Sequence, residues 1–389
     1  MQPEERFEFL KTADLRTPAF VFDVGALRAD AQRAREAVCD ADTQLLFAIK
    51  SYSVAAGLQH IASEVAGFAT SSLFEARLAR EILKPQQSVH LTTPGLRPDE
   101  ILPICELADY LSFNSLTQWL RFRDVAAGRL SCGLRVNPQL SLVSDVRYDP
   151  CRHNSKLGVS LDELRRLLHE APEQLDGIRG IHVHSNCDSA DLTPLLMTVE
   201  RLLEGLGPLF DRIEWVNLGG GYLFHDPLNT GALAQAKARL QARGRYRVFM
   251  EPGASIVRRA GQIVASVVDL FASGGRQLAV LDTSVNHMPE VFEYQFEPDV
   301  AGDSASAEYE YLLAGASCVA GDLFGSYGFV EPLRVGTRIV FPDMGAYAMV
   351  KANMFNGINL PTIYALGEAG ELAEIKRFGY ADFLTLCGA

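Results

Sequence analysis

The sequence lacks any apolar run that approaches the roughly 18 residues needed to span a membrane. Its first residues, MQPEERFEFL, are mixed and acidic, without the basic start or the apolar stretch of an export signal. No cluster of Lys and Arg stands out in a chain whose formal net charge is −12, so a nucleic-acid partner is not expected. These absences predict a cytoplasmic protein that binds neither membranes nor nucleic acids.

The seven cysteines are scattered along the chain, without CxxC pairs or the spacing of a zinc site. An odd number of dispersed cysteines fits a reducing compartment better than a disulfide framework. Cysteine usage therefore predicts neither a disulfide-stapled fold nor a metal centre.

A length of 389 residues favours two domains. Between about residues 45 and 253, short β-rich runs alternate with amphipathic helical stretches, several of which begin with Ser, Thr or Asp. Eight such β-then-α units are typical of a (β/α)8 TIM-type barrel, although a doubly wound sheet can be built from the same units. The eight candidate strands are LLFAIK, GFATSS, SVHLTT, DYLSFNS, SCGLRVNP, IRGIHVHSN, IEWVNLGGG and YRVFMEPG.

After MEPG the pattern changes, and β-rich runs separated by turn residues replace helical periodicity. These runs are GQIVASVVDLF, QLAVLDTS, YEYLLAG and TRIVFPDMGAYAM, and the early strand in PAFVFDVGAL can join them. The sequence therefore predicts an α/β barrel at residues 26–254 and a second, mostly β domain made of residues 1–25 plus 255–389.

Polar residues at the carboxyl ends of the barrel strands are the candidates for chemistry, because barrel active sites lie there. His182 and His184 are two residues apart, so strand alternation puts both on the same face. Such a pair could bind a metal, but no third ligand has matching spacing, and stacking of one ring on a flat cofactor is favoured. The strand-end candidates are Lys50, Ser72, Arg135, Asn137, His182, His184, Gly219, Gly220, Gly221 and Glu251.

The stretch LLFAIKSYS carries an apolar strand directly into Lys50. Desolvation disfavours the ammonium form of a lysine, so an amine delivered in this way is available to form a Schiff base. The alternative is a lysine that simply emerges into solvent at the end of a strand. The sequence of this stretch alone leaves both interpretations open.

The triplet Gly219–Gly221 follows a strand and offers backbone N–H groups that can approach a phosphate closely. Taken alone, the triplet is better explained by a tight β-to-α turn, and Glu251 in MEPG could be a helix-capping or surface carboxylate. Taken with Lys50, however, these parts predict a pyridoxal 5′-phosphate site. The amine would bind the aldehyde, the glycines the phosphate, and the carboxylate would keep the pyridine nitrogen protonated.

Several longer stretches carry a family resemblance that covers nearly the whole chain. The chain resembles the fold-III pyridoxal phosphate decarboxylases, which share the alanine racemase fold and include ornithine and diaminopimelate decarboxylases. Within them it is most similar to the carboxynorspermidine/carboxyspermidine decarboxylases of polyamine biosynthesis. The stretches are TPAFVFD, FAIKSYS, ATSSLFEARL, GLRVNP, GIHVHSNC, WVNLGGG, MEPG and, more selectively, LDTSVNHMPEVFE, GASCVAGDLFGSY and FPDMGAYAMVKANMFNGINLP.

The resemblance implies a role for each matching residue. Lys50 would form the Schiff base with the cofactor, His184 would stack on its ring, and Glu251 would pair with the pyridine nitrogen. Gly219–Gly221 and Tyr347 would hold the phosphate. The complete set of cofactor-binding candidates is Lys50, Ser72, Arg135, His184, Gly219, Gly220, Gly221, Glu251 and Tyr347.

The resemblance also implies a homodimer with shared active sites. Cys318, in ASCVAGD, matches the cysteine that returns a proton to the α-carbon after CO2 leaves, and it would come from the other subunit. The expected substrate is an amino acid with a cationic, polyamine-like tail. The candidate acids for its distal amine are Asp188, Glu290, Glu293 and Asp322, although a turn aspartate explains Asp322 nearly as well.

Four other functions remain open on the sequence. A racemase uses the same fold, but the CVAGD motif favours decarboxylation. A decarboxylase of a different amino acid, for instance in a siderophore or toxin pathway, is compatible with the altered string HSNCDS. A non-catalytic pyridoxal phosphate-binding homologue and a cofactor-free Schiff-base aldolase complete the alternatives.

Overall fold

A computed structural model describes residues 2–389, so residue 1 of the predicted second domain lies outside the described residues. The strands are β1 (Ala19–Asp23), β2 (Thr43–Ala48), β3 (Gly67–Thr70), β4 (Ser88–Thr93), β5 (Tyr110–Phe113), β6 (Ser131–Asn137), β7 (Val159–Ser160), β8 (Gly180–Val183), β9 (Trp215–Asn217), β10 (Arg247–Met250), β11 (Gly261–Ser273), β12 (Arg276–Leu281), β13 (Tyr309–Ala314), β14 (Leu323–Phe329), β15 (Arg338–Phe341), β16 (Thr362–Leu366) and β17 (Leu372–Lys376). The helices are α1 (Pro3–Thr12), α2 (Val24–Val38), α3 (Ala55–Ala62), α4 (Leu73–Ile82), α5 (Ile101–Leu107), α6 (Leu116–Ala126), α7 (Leu161–Glu170), α8 (Thr193–Phe210), α9 (Gly231–Arg243), α10 (Ala254–Val257), α11 (Pro289–Tyr294) and α12 (Tyr380–Leu386).

Eight parallel strands close into a barrel in the order β5-β4-β3-β2-β10-β9-β8-β6, and β5 pairs directly with β6. Each of the eight predicted runs overlaps one of these strands, and the closed order confirms the (β/α)8 barrel over the doubly wound alternative. The two-residue strand β7, which the sequence pattern did not predict, pairs with the end of β6. The apolar runs form this barrel because a parallel strand is covered on both faces.

Serine residues set the start of three barrel helices. Ser72, Ser115 and Ser160 each accept a hydrogen bond from the backbone N–H three residues later, at the start of α4, α6 and α7. An N-cap of this kind satisfies one of the unpaired N–H groups of the first helical turn. None of the helices within residues 2–389 is both long enough and apolar enough to cross a bilayer.

The second sheet has eight strands and is mostly antiparallel, as the β-rich C-terminal sequence predicts. The N-terminal strand β1 lies inside this sheet, antiparallel to β11 and parallel to β16. All five residues of β1 are buried, which explains the unbroken apolar run AFVF in its sequence. The start of the chain is therefore part of the same sheet as its C-terminal region.

Contacts along the chain divide it into two compact units. The first comprises the chain up to Arg28, the segment Ser51–Gly57 and Val257–Ala389, and the second comprises Ala29–Lys50 and Leu58–Ile256. The predicted limits of the barrel, 26–254, lie within a few residues of this division. The prediction did not place the short segment after Lys50 with the β-rich unit.

A buried ion pair joins α1 to β1 in the first unit. Arg6 Nη1 donates to Asp23 Oδ2 at 2.8 Å, and both side chains are almost completely buried. The other oxygen of Asp23 accepts the Ala26 N–H at 2.9 Å. The carboxylate thus compensates a buried charge and caps the start of α2.

Asp23→Ala is expected to lower the free energy of unfolding by about 3–5 kcal/mol, because it leaves a buried guanidinium without a counter-charge. Urea denaturation followed by circular dichroism measures the effect. The control is Glu368→Ala, which breaks the exposed Arg28–Glu368 pair and should cost about 0–1 kcal/mol. Equal losses in the two variants would contradict this account of the buried pair.

Candidate active site

A cavity at the carboxyl ends of the barrel strands is lined by several of the candidate polar side chains. It contains five of the residues that the sequence singled out, and four short polar or small residues complete its wall together with Ala48. The lining residues are Ala48, Lys50, Ala69, Thr70, Ser71, Thr92, Arg135, His182, His184 and Glu251. This is the end of the barrel at which catalytic groups are expected.

A larger cavity, of about 790 Å³, lies at the opposite end of the same strands. Its wall includes Tyr110, Trp215 and Arg247 but none of the candidate catalytic residues. Size alone does not make this cavity the active site, because the amino-terminal end of a barrel normally contributes to stability.

Lys50 lies in the short 3-10 turn Ile49–Ser51, immediately after β2. Its side chain is exposed to the cavity, yet the barrel mouth surrounds it closely with protein. This desolvation lowers the pKa of the amine, with Glu251 opposing the effect and Arg135 adding to it. The apolar strand therefore delivers an amine whose free base is more available than that of an ordinary lysine.

Two side chains fix the Glu251 carboxylate. His182 Nε2 donates to Glu251 Oε1 at 3.0 Å, and Asn217 Nδ2 donates to Glu251 Oε2 at 3.2 Å. Burial alone would raise the pKa of Glu251, but His182 and Lys50 lower it well below the usual range. Burial lowers the pKa of His182, while the charge of Glu251 and the hydrogen bond to it oppose that shift.

Asn217 is a site residue that the sequence analysis missed. Besides holding Glu251, its Oδ1 accepts the Gly219 N–H at 2.8 Å. The asparagine thereby connects the carboxylate to the glycine triplet. Its position two residues before the triplet, in VNLGGG, is the signal that would have identified it.

Close backbone approach explains each glycine of the triplet. A Cβ at Gly219 would lie 2.3 Å from the Val183 carbonyl oxygen, one at Gly220 2.3 Å from the Glu251 carbonyl oxygen, and one at Gly221 2.1 Å from the Asn186 carbonyl oxygen. Gly219 and Gly221 also have positive φ angles of 71° and 87°. No other residue type fits this turn without displacing the backbone beside it.

The triplet also orients His184. Gly220 N–H donates to His184 Nδ1 at 3.1 Å, so the neutral ring carries its proton on Nε2. Desolvation, together with Lys50 and Arg135, keeps the pKa of His184 well below its usual value. Two of the three triplet N–H groups, those of Gly219 and Gly220, are thus already used within the protein.

The predicted cofactor ligand Ser72 has a different neighbourhood from the other candidates. Its hydroxyl accepts the Glu75 N–H at 3.2 Å as the cap of α4. Ser71 lines the cavity instead, and its N–H donates to Glu75 Oε2 at 2.6 Å. Ser72 therefore positions the turn that contains Ser71.

Tyr347 and Cys318 belong to the β-rich unit. Tyr347 has a φ of 57°, an uncommon conformation for an aromatic residue, and its N–H donates to the Ser51 carbonyl oxygen at 2.9 Å. Cys318 is exposed, and its N–H donates to Asn356 Oδ1 at 2.9 Å. The backbone of each residue is thus anchored within this unit.

The four predicted tail-binding acids fall into three different environments. Glu290 and Glu293, on α11, accept hydrogen bonds from Lys351 Nζ at 3.1 and 2.6 Å. Asp322 is buried and accepts three hydrogen bonds from neighbouring donors. Asp188 is exposed in a turn with a φ of 48°.

Lys351 is the second residue that the sequence analysis did not single out. Its ammonium lies 5.4 Å from the centre of the Tyr294 ring and 5.6 Å from that of Tyr347. Two carboxylates and two aromatic faces thus surround one cation, and the carboxylates raise the pKa of Lys351 despite partial burial. Glu290 and Glu293 already have a positively charged partner within the chain.

Known proteins of similar sequence identify the family of this chain. The family model described as pyridoxal-dependent decarboxylase, C-terminal sheet domain, matches residues 20–345. The chain is 34% identical over 387 residues to carboxyaminopropylagmatine decarboxylase of Synechocystis sp., with 97% of each chain covered. The chain belongs to the pyridoxal-dependent decarboxylases. The resemblance stated from the motifs is confirmed.

Two further relatives place this decarboxylase within its family. It is 30% identical over 385 residues to carboxynorspermidine/carboxyspermidine decarboxylase of Campylobacter jejuni, covering 95% of this chain and 98% of the other. The crystal structure of C. jejuni carboxynorspermidine decarboxylase complexed with norspermidine superposes with a TM-score of 0.86 at 29% identity, covering 96% and 100%. The chain is accordingly a carboxy-lyase with the alanine racemase-like fold.

Gly219→Ala is expected to weaken retention of pyridoxal phosphate by at least about tenfold, because the alanine is strained at this φ and displaces the turn. Cofactor absorbance after gel filtration measures retention. The control is Gly95→Ala, at a position where a Cβ meets no atom within 4 Å. Unchanged retention in the Gly219 variant would show that the crowded turn does not shape the site.

The lowered pKa of Lys50 is testable by competitive labelling of the cofactor-free protein with acetic anhydride. The midpoint pH for Lys50 should lie below the ordinary lysine value of 10.5. Glu251→Gln should move it lower still, because the carboxylate stabilises the ammonium form. Mass spectrometry reads the labelling, with the exposed Lys84 as internal reference. A midpoint at or above 10.5 would contradict the desolvation argument.

Proposed function

We propose that this decarboxylase removes CO2 from an α-amino acid with a cationic, polyamine-like tail, with pyridoxal 5′-phosphate as its cofactor. Carboxynorspermidine and carboxyspermidine are the first candidates. The observation that carries the proposal is that Lys50 lines the same cavity as Glu251, whose two oxygens are held by His182 and Asn217. That combination suits a cofactor with an aldehyde at one position and a basic ring nitrogen at another.

The cavity residues fit such a cofactor. Glu251 already accepts one hydrogen bond on each oxygen, and a carboxylate offers about four acceptor sites, so it retains capacity for a protonated ring nitrogen. The crowded glycine turn is open to a group that approaches the backbone closely. We assign the phosphate to the Gly221 N–H, because the neighbouring N–H groups are used by Asn217 and His184.

Bound pyridoxal phosphate supplies an electron sink for the carbon that loses CO2. The chain supplies the rest. Lys50 would hold the cofactor through its amine, and Glu251 would accept a hydrogen bond from the protonated ring nitrogen. Neutral His184, oriented by Gly220, provides a flat apolar surface for the ring without adding a competing positive charge.

We further infer a homodimer in which Cys318 of the partner subunit holds the proton that returns to the α-carbon. The exposed thiol supports this role, since it is free to face a second copy of the chain. Tyr347 is assigned to the phosphate, as the family resemblance implies. We also propose a cofactor-binding barrel at residues 26–254 and a second, mostly β domain made of residues 1–25 plus 255–389.

A second candidate substrate is carboxyaminopropylagmatine, which gives its name to the Synechocystis relative. Its tail ends in a guanidinium, which a carboxylate can bind through two parallel hydrogen bonds. Glu290, Glu293 and Asp188 remain the candidate acids for either tail, and a tail cation at either glutamate would share that carboxylate with Lys351. Asp322 is not, because its oxygens are used within the protein.

Measurement of CO2 release from a panel of substrates tests the proposal. The panel is carboxynorspermidine, carboxyspermidine, carboxyaminopropylagmatine, ornithine, lysine and diaminopimelate. A carboxylated polyamine should be preferred by at least about tenfold in kcat/KM over the short amino acids. Lys50→Ala, the control, should lose both the cofactor absorbance and all release. Preference for ornithine, lysine or diaminopimelate would refute the polyamine-tail assignment.

A further inference from the structure

Asp322 has an unusual set of partners for a residue so near a catalytic cysteine. Its Oδ1 accepts the Val285 N–H at 2.8 Å, and its Oδ2 accepts the Ser284 hydroxyl at 2.9 Å and the Ser317 N–H at 2.9 Å. The side chain is 2% exposed. One buried carboxylate therefore accepts hydrogen bonds from two segments that are more than thirty residues apart in the chain.

Each of the two segments leads to a residue of the proposed reaction. Ser317 directly precedes Cys318, whose thiol is the proposed proton donor. Ser284 and Val285 begin the short 3-10 turn Val285–His287, which leads into α11 with its two tail-binding candidates. Asp322 thus connects the thiol to the segment that precedes the acid-bearing helix.

Backbone hydrogen bonds and close packing hold the connection. The Ala316 N–H donates to the Thr283 carbonyl oxygen at 2.9 Å, and the Gly315 N–H donates to the Asp322 carbonyl oxygen at 2.8 Å. A Cβ at Gly315 would lie 2.1 Å from Asp322 Oδ1. The carboxylate therefore packs directly against the backbone of Gly315, where a larger residue would collide with it.

We propose that Asp322 is a positioning residue that sets where the Cys318 thiol stands, and not a ligand of the substrate amine. This inference rests on the proposed role of Cys318. A carboxylate suits the position because all three partners are donors and an ionised carboxylate only accepts. An asparagine of the same shape turns its NH2 group toward a backbone N–H in either orientation, that of Val285 or that of Ser317, so the connection between the two segments is disturbed.

A displaced thiol changes where the proton goes. Protonation of the substrate's α-carbon gives the amine product and leaves the cofactor aldehyde intact. Protonation of the cofactor's carbon instead, followed by addition of water, gives an aldehyde product and pyridoxamine phosphate, with two electrons moved from substrate to cofactor. The share of turnovers that end in the aldehyde therefore reports the position of the thiol independently of overall activity.

Asp322→Asn and Gly315→Ala test the proposal in the holoenzyme, with carboxynorspermidine as substrate. Asp322→Asn replaces one acceptor oxygen by an NH2 group. Gly315→Ala displaces the carboxylate sterically and leaves its charge unchanged. Both should raise the aldehyde share by at least about tenfold, because misplacement by about 1 Å can cost two orders of magnitude in a correctly directed step. The matched control is Asp303→Asn, an exposed carboxylate of the same unit whose Oδ1 accepts the Gly328 N–H at 2.8 Å.

The rate at which iodoacetamide alkylates Cys318 gives a second readout that needs no turnover. It should change by about threefold or more in both variants and stay constant in the Asp303 control, because thiol reactivity follows its surroundings. If neither the aldehyde share nor the alkylation rate moves in a folded Asp322 or Gly315 variant, the positioning role is wrong. Cys318→Ala separates this failure from a failure of the proposed function, because a normal product profile in that variant removes the thiol from the reaction altogether.

Discussion

The Glu251 carboxylate is the charge on which the rest of the site depends. It is buried, and burial alone would neutralise it, so the barrel must supply donors to keep it ionised. His182 and Asn217 do so, one on each oxygen. The resulting anion stabilises the nearby Lys50 ammonium, and the pKa of the lysine is therefore a balance between this attraction and desolvation. An amine in that balance is available as a nucleophile and can still take up a proton.

The glycine triplet contributes through crowding as much as through its N–H groups. The backbone segments approach so closely at this turn that a Cβ added at any of the three glycines would collide with a carbonyl oxygen. The same closeness brings Asn217 and His184 within hydrogen-bonding distance of the triplet. Carboxylate, turn and histidine are consequently one connected structure, and a change in any of them disturbs the others.

Much of this arrangement was predictable because it depends on local patterns. Apolar runs of strand length, spaced by amphipathic stretches, specify the barrel, and the run LLFAI leads directly to Lys50.

Hydrogen bonds between side chains distant in sequence were not predictable in the same way. Ser284 and Asp322 are 38 residues apart, and no pattern near either one indicates that they meet. The motif CVAGD therefore suggested a tail-binding role for Asp322. In the structure this side chain is buried, and its oxygens accept three hydrogen bonds from within the protein. Ser72 illustrates a smaller effect, since a hydroxyl at a strand end can cap the next helix instead of facing the cavity.

Borohydride reduction of the holoenzyme, followed by peptide mapping with mass spectrometry, tests the central claim most directly, because reduction makes the bond between cofactor and protein permanent. The account predicts a phosphopyridoxyl group on Lys50 and on no other lysine. A label on Lys351 or another lysine, or no label in protein that shows full cofactor absorbance, would contradict it.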